Sequence, residues 1–561
     1  MAAPIQPLVL DSIGIYGLNK QSSPSSLEPQ WLTEAQNVML DEKGNVTTRK
    51  GIRQVSDLIG TSSSNADIIK SLGEYRNATG SSTIFAGSND KIYKLNTANT
   101  PYTLDAQTFG ATPVTLTDGN WEFSNFNNKF YAVQAGHQPI TYDGTTWTDL
   151  ADIAGYAKPT TVTTFNPSCM LGSFGRLWVG GVAEAKDVVY YSDTLIGEQF
   201  STGAAGSVDM KTVWGGDEIV ALANFMGKLI IFGKRNIAIY NNPDDPAASA
   251  FALDEVVIGV GCVARDSVQA LGDDVIFLSN SGVRSLQRTM VKDKMPLTDL
   301  SLNVKDEITL HIVNADMDQV KGQYCLCGGY YTLSFPDRNI TYVFDFKGQA
   351  GNEAPRITTW EFADKKTPKS FLSTTEGIMY VGLGASDFAG RVADYSGYYD
   401  VEKADVTVTY ANQTVCEAAD NTWESANSKC WSDSNNTYQS SFKTTWLDFG
   451  TPSVAKLLKR MLLTITGGFG MTATLNWYRD YSNVADSSSF DLSSGATVAR
   501  WGTSTAIWGT SRFSASEQPT EYKVPLSKSA KVLRLGMTGT VNGFKPALQN
   551  MIVWAKQGKI R

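Results

Sequence analysis

The chain has 561 residues, of which 42% are hydrophobic and 19% charged, a balance that excludes a disordered, collagen-like or coiled-coil molecule and, at roughly 150 residues per domain, predicts three to four domains. The net charge of −8 hides an asymmetry: residues 452–561 carry 14 Lys and Arg against 5 Asp and Glu, so this end is +9 and the rest −17, which suits an oriented acidic ring or nucleic acid, or a solvated basic face. No apolar run approaches the ~20 residues of a membrane helix, and Met1-Ala-Ala-Pro-Ile-Gln-Pro7 has no basic and apolar leader regions, so the chain reads as soluble, without a signal and without stable membrane insertion.

Residues 1–60 read as an extended arm and a hairpin. In the hairpin Asn37-Val-Met-Leu40 and Val46-Thr-Thr-Arg49 flank the turn Asp41-Glu-Lys-Gly-Asn45. A short helix over residues 29–40 is a second expectation for part of the same stretch. The hairpin completes a C-terminal sandwich, forms an interface, or does both. Arg49, Lys50 and Arg53 either face an acidic partner or are solvated.

Residues 61–400 carry a loose repeat of a turn, an apolar strand, a Gly-containing turn and a second strand ending in an aromatic. It runs through residues 84–93, 127–133 with 140–142, 174–180 with 188–191, 226–233 with 237–240, 272–278 with 282–286, 324–333 with 342–345, and 377–382 with 390–395. A spacing of roughly 40 to 55 residues fits one four-stranded sheet per repeat, hence a β-propeller of six or seven blades. Such sheets have two apolar faces, and radial stacking buries both. Two or three successive sandwiches are the alternative. One helix is expected over residues 301–315, where Val304, Ile308 and Ile312 recur at helical spacing. Trp121, Trp147 and Trp178 are either sugar-binding platforms or core.

Residues 411–441 are rich in Asn, Ser, Thr and Trp and read as an exposed insertion or tip loop. Cys416 and Cys430 bracket part of it and are placed for a disulfide, which a reducing cytosol opposes. Trp423 and Trp431 are either contact residues of this loop or its own small core. Residues 442–561 follow as period-two strands that predict an antiparallel sandwich, the basic platform of an all-β molecule.

Enzyme chemistry finds little to use. Only His137 and His311 are present, there is no nucleophile elbow, phosphate loop or His-Glu-x-x-His, and no CxxC pair supports a metal. Both histidines read as structural, and Cys325 and Cys327 as small buried hydrophobes. Thr141-Tyr-Asp-Gly-Thr-Thr-Trp147 resembles a degenerate Asp-box, which is a folding turn. No catalytic residue, cofactor or metal site is expected, although 56 acidic residues leave carboxylate pairs of the glycosidase type open.

The most specific sequence lies in residues 13–55. Ile15-Tyr-Gly-Leu-Asn19, Ser23-Pro-Ser-Ser-Leu27, Trp31-Leu-Thr-Glu-Ala-Gln-Asn-Val38 and Asp41-Glu-Lys-Gly-Asn-Val-Thr-Thr-Arg-Lys-Gly51 resemble the opening of the tail nozzle or tail-hub (tail tubular) proteins of short-tailed, podovirus-like bacteriophages. In that family Gly-(Leu/Ile)-Asn precedes a Pro-containing turn, an Ala-x-Asn strand and a Gly-x-x-x-x-Arg-x-Gly end. The resemblance implies a structural virion protein assembled in the host cytoplasm: a six-fold homo-oligomeric ring that docks to the head-to-tail adaptor, carries tail fibres or spikes, and lets double-stranded DNA pass through its lumen during ejection. An acidic wall would repel DNA and let it slide, while the basic domain docks the adaptor. On this reading the interface draws on Leu18, Asn19, Pro24, Arg49 and Arg53 of the arm, and on Lys523, Lys528, Lys531 and Lys545 of the platform. The alternatives are a receptor- or carbohydrate-binding propeller and, below it, a glycoside hydrolase.

Overall fold

Short β-prone runs bounded by turn residues become strands through most of the chain. The computed structural model describes residues 5–59, 68–110, 115–245, 251–271, 274–286, 299–326, 328–349, 354–363, 366–385, 388–419, 421–425, 428–492 and 519–558. Cys327 lies outside these.

Four four-stranded meanders and one three-stranded sheet stand as separate blades. Their first strands are Ser71–Arg76, Glu122–Phe126, Cys169–Ser173, Ile219–Phe225 and Gln269–Ala270. Each packs beside the next around a common axis. Two more units continue the circle, beginning with Lys321–Cys325 and Ser370–Ser373, and the latter packs against Ser71–Arg76 to close it. Between blades lie apolar clusters, such as Tyr75, Phe85, Phe130, Tyr142 and Trp147 between the first and second. Burial of both faces of each sheet makes radial stacking the source of the core.

Five separate blades stand where the repeat predicts six or seven. The reason is that the last two units do not end as blades. The sheet of Lys321–Cys325 runs from Pro355–Trp360 through Trp31–Gln36 into Tyr438–Thr444, Leu533–Val541, Thr472–Arg479 and Ala485–Asp491, ten strands in all with Gly17–Leu18. The sheet of Ser370–Ser373 takes Ile52–Gln54 beside Phe388–Tyr395, then continues into Asp400–Asp405, Lys429–Asn436 and Thr422–Glu424.

The second layer of the platform is a seven-stranded sheet in which Pro546–Gln557 pairs with Lys456–Gly467 on one side. On its other side it pairs with the arm Ile5–Asp11, from Ile5↔Lys556 to Asp11↔Asn550, and with the hairpin strand Val46–Thr48. The sandwich therefore joins both ends of the described chain. The expected hairpin forms, Val38–Leu40 against Val46–Thr48. The helix over 29–40 does not, because Trp31–Gln36 is held as a strand by Tyr438–Thr444 and Asn37 turns left-handed at φ 55°. Tertiary pairing overrides local preference there. The helix expected over 301–315 is present as Lys305–Asn314, with Ile308 buried.

Candidate functional site

Arg49 is not available to a partner. Its guanidinium is fully buried and makes two bonds of 2.9 Å to the Asp400 carboxylate, while Nε donates to Asn37 Oδ1 at 3.0 Å. The rings of Tyr438 and Phe362 cover it at 3.9 and 4.6 Å. A buried charge is tolerated only with this degree of pairing, so Arg49 is a clasp between hairpin, platform and propeller. Leu18 is core, and Asn19 is buried with its side-chain oxygen accepting from the Gln21 and Ser22 amides at 3.0 Å. Pro24 is half-buried and its carbonyl accepts from the Trp446 amide. Lys50 is exposed, and Arg53 presents charge with a side chain 49% exposed and paired to Asp394 at 2.7 Å. That hydrogen bond raises its pKa.

The lysines of the platform do reach solvent, but not as one group. Lys523 is exposed on Thr520–Pro525, and Lys528 and Lys531 flank the two-residue strand Ser529–Ala530. Lys528 binds Asp486 at 2.5 Å, and with Arg479 it holds that carboxyl below its ordinary range. Lys545 lines a different feature, a 640 Å³ cleft shared by the hairpin turn, Tyr330, Trp360, Lys50 and Lys347.

The insertion is shorter than residues 411–441, since Lys429–Asn436 and Tyr438–Thr444 are integral sheet strands. Between Asp400–Asp405 and Lys429–Asn436 lie a short helix, Gln413–Ala418, and the edge strand Thr422–Glu424. The structure joins Cys416 and Cys430 in a disulfide. Trp431 is buried beneath Lys429 and serves as the loop's own core, whereas Trp423 is half-buried opposite Cys430. At the apex, Asp405 accepts from the Thr407 amide and hydroxyl, and Val408 is fully exposed.

The propeller axis holds a cluster that the sequence did not single out. A 340 Å³ lumen is lined by the first strands, with Glu122, Arg265, Asp266 and Lys321 converging on it. Arg265 Nε donates to Asp266 Oδ1 at 2.8 Å, and Nη2 donates to Asn120 Oδ1 at 2.9 Å. Lys321 Nζ donates to both Asp266 and Asn120. Burial alone would raise the Asp266 carboxyl, but Arg265 and Lys321 hold it well below its ordinary value. Glu122 goes the other way: burial pushes it up to about 7 against the pull of Arg265, and the Met170 amide donates to it at 2.8 Å. The only sequence signal for this cluster was the set of charged residues beside otherwise apolar repeat strands.

Trp121, Trp147 and Trp178 are all buried in the blades and offer no face to a sugar. His311 packs on Phe335 and Tyr342 with its pKa lowered by burial, and His137 packs on Trp121. Among the described residues no group of three or more His, Cys, Asp or Glu side chains is placed to hold a metal.

No family model matches the chain, and no curated protein matches it. Among solved structures it is similar to the extracellular domain of a putative hybrid two-component system from B. thetaiotaomicron, at 12% identity and TM-score 0.37 over 64% of this chain and 41% of that one. It is also similar to PorZ of the type-IX secretion system of Porphyromonas gingivalis, at 12% identity and TM-score 0.36 over 61% of this chain and 37% of that one. An exo-β-1,3-galactanase from Phanerochaete chrysosporium matches at 9% identity and TM-score 0.25, over 80% and 98% of the two chains. The chain thus spans about two-fifths of the length of the first two. Likeness at this level carries no functional argument.

Proposed function

We propose that this chain is a ring-forming structural subunit of a short-tailed phage tail, a nozzle or hub that docks to the head-to-tail adaptor through its basic platform and conducts the genome through the ring. The observation that supports this reading is the structural role of the residues that carry the family resemblance. Gly17 sits at φ 79° against the backbone of Ile357, where an added Cβ would lie 2.7 Å from its nitrogen. Asn37 donates to the Gln439 carbonyl and accepts from Arg49 and from the Glu361 amide. Gly51 lies so close to Tyr399 that a Cβ would stand 1.8 Å from its carbonyl oxygen. The motif is therefore a joint motif: each of these residues is needed where the arm ties the propeller to the platform. A chain carrying that motif would keep the same two-module layout, and a tail ring needs such a rigid pairing of a docking module with a wall module.

The distribution of charge agrees with this reading, since the exposed Lys523, Lys528 and Lys531 lie on the basic sandwich and the excess of acidic residues lies in residues 1–451. Fibre or spike attachment falls to the outer blade edges or the disulfide-clipped loop. The test is to mix the purified chain with DNA-filled, tailless particles and image them by electron microscopy, with the chain alone as control. New ring density under the head vertex is the expected result. Bare heads with a folded protein would overturn the proposal.

A further inference from the structure

The platform sheet that joins both ends of the chain has two faces of different standing. Ile5–Asp11, Pro546–Gln557, Lys456–Gly467 and Thr520–Pro525 lie side by side in it. Leu10, Met551, Leu463 and Val524 point into the sandwich core, so the alternate residues point outward. One outward row runs Val9, Ile552, Leu462, Lys523, and the next runs Pro7, Trp554, Arg460, Pro525. Val9 is 47% exposed, and so is Leu457 at 41%, opposite Lys556. Ile552, Leu462 and Trp554 are half-buried, and the Arg460 guanidinium stands 4.9 Å from the centre of the Trp554 ring. Cations collect at one end of this apolar strip: Arg460, Lys523 and Lys556 lie in or beside these rows, whereas Asp11 and Glu521 belong to the row beyond.

The complement to such a strip lies elsewhere on the same chain. The helix Lys305–Asn314 turns Ile308 into the core and leaves Leu310 and Val313 outside, 62% and 77% exposed. Asp306, Leu310 and Val313 recur at helical spacing and share one stripe, and the exposed Asp316 and Asp318 follow it. The nearest cations are engaged elsewhere, Lys305 with Asp299 at 3.2 Å and Lys20 with Glu307 at 2.8 Å. Asp306 accepts from Gln21 Nε2 at 3.2 Å and Asp316 from Gln319 Nε2 at 3.0 Å, neutral donors that leave both charges in place.

An apolar strip with cations at its end and an apolar ridge flanked by carboxylates match in both chemistry and charge. We infer that the helix of one subunit docks on the outer sheet face of a second copy of the chain, Leu310 and Val313 against Val9, Ile552 and Leu462. Asp306, Asp316 and Asp318 then turn toward the cationic end. Burial of the aliphatic side chains drives the contact, and charge fixes its direction. Because the two patches differ, the contact is heterologous, the type that closes into rings or runs on as filaments. The inference rests on the ring reading and names its subunit contact.

The test is sedimentation velocity of the full chain and of two surface variants, Arg460→Glu with Lys556→Glu on the sheet face and Leu310→Lys with Val313→Lys on the helix. The wild type is expected to self-associate by about 100 µM, and each variant to do so roughly tenfold more weakly or worse. Mixed one to one, the variants keep one working face each and are expected to form a heterodimer that grows no further, which also shows that both are folded. A wild type that stays monomeric at that concentration overturns the proposal. So does a helix variant that associates as well as the wild type, since the sheet face would then meet another sheet face. Ring density on tailless particles with the wild type and the helix variant alike would remove this contact and leave the ring reading standing. Bare heads with a chain that associates as described would do the reverse.

Discussion

The blades and the joint are stabilised in opposite ways. Between the first and second blades the contact is a block of aromatic rings, with Phe85 of the first edge-on to Tyr142 and Trp147 of the second at 4.8 and 5.2 Å. At the joint it is one guanidinium held by one carboxylate between two rings. Apolar packing is non-directional and tolerates substitution of similar volume, whereas a buried ion pair tolerates almost none. Sequence specificity therefore collects at the joint, and this is why the repeat is loose while residues 13–55 are distinctive.

The comparison can be broken at either end. Asp400→Ala leaves Arg49 buried and uncompensated and is expected to cost about 3–5 kcal/mol, separating the denaturant unfolding of platform and propeller into two transitions. A single shifted transition would show that the joint is not what couples them. Trp147→Ala should cost about 3–5 kcal/mol through lost packing and cavity formation, yet lower only the propeller transition in the same experiment.

A smaller effect is expected at the axis. The folded state holds the Glu122 proton up to about pH 7, against an ordinary carboxyl value of 4.5, so the native chain binds this proton more tightly than the unfolded one. Its contribution is present in full below pH 4.5 and is lost as pH rises to 7. Glu122→Gln should flatten the pH dependence of the unfolding free energy across that window, by about 3 kcal/mol. An unchanged profile would mean that the cluster is open to water. Smallest in stability is charge reversal of Lys523, Lys528 and Lys531 together, expected to shift unfolding by no more than about 1 kcal/mol while weakening attachment to tailless particles in a sedimentation assay. Undiminished attachment at physiological salt would remove the lysines from the docking face.

What could be read from sequence was what is local. Lys228–Gly233 and Asn236–Asn241 form a hairpin from adjacent residues, and Ile308 marks its helix within one turn. Cys416 and Cys430 are separated by only 14 positions. The exposure assigned to Arg49 failed because its partner lies 351 residues away, and no pattern around Arg49 encodes that distance. The axial cluster was hidden for the same reason: Lys321 meets Asn120 across 201 residues. Trp31–Gln36 shows the converse failure, in which a stretch weighed as helix is drawn into a sheet by strands more than 300 positions downstream.

The pairing of Ile5–Asp11 and Val46–Thr48 with Pro546–Gln557 has a consequence for synthesis. The propeller lies between these segments in the chain, so ribosomes finish every blade before the strand that anchors the sandwich emerges. The early arm must wait, with its edge unpaired, for a partner translated some minute later at ~5–20 residues per second. A chain that stops short of residue 546 then has blades but no completed platform. Synthesis order itself thus acts as a proofreading step, because only molecules translated through that last strand complete the sandwich.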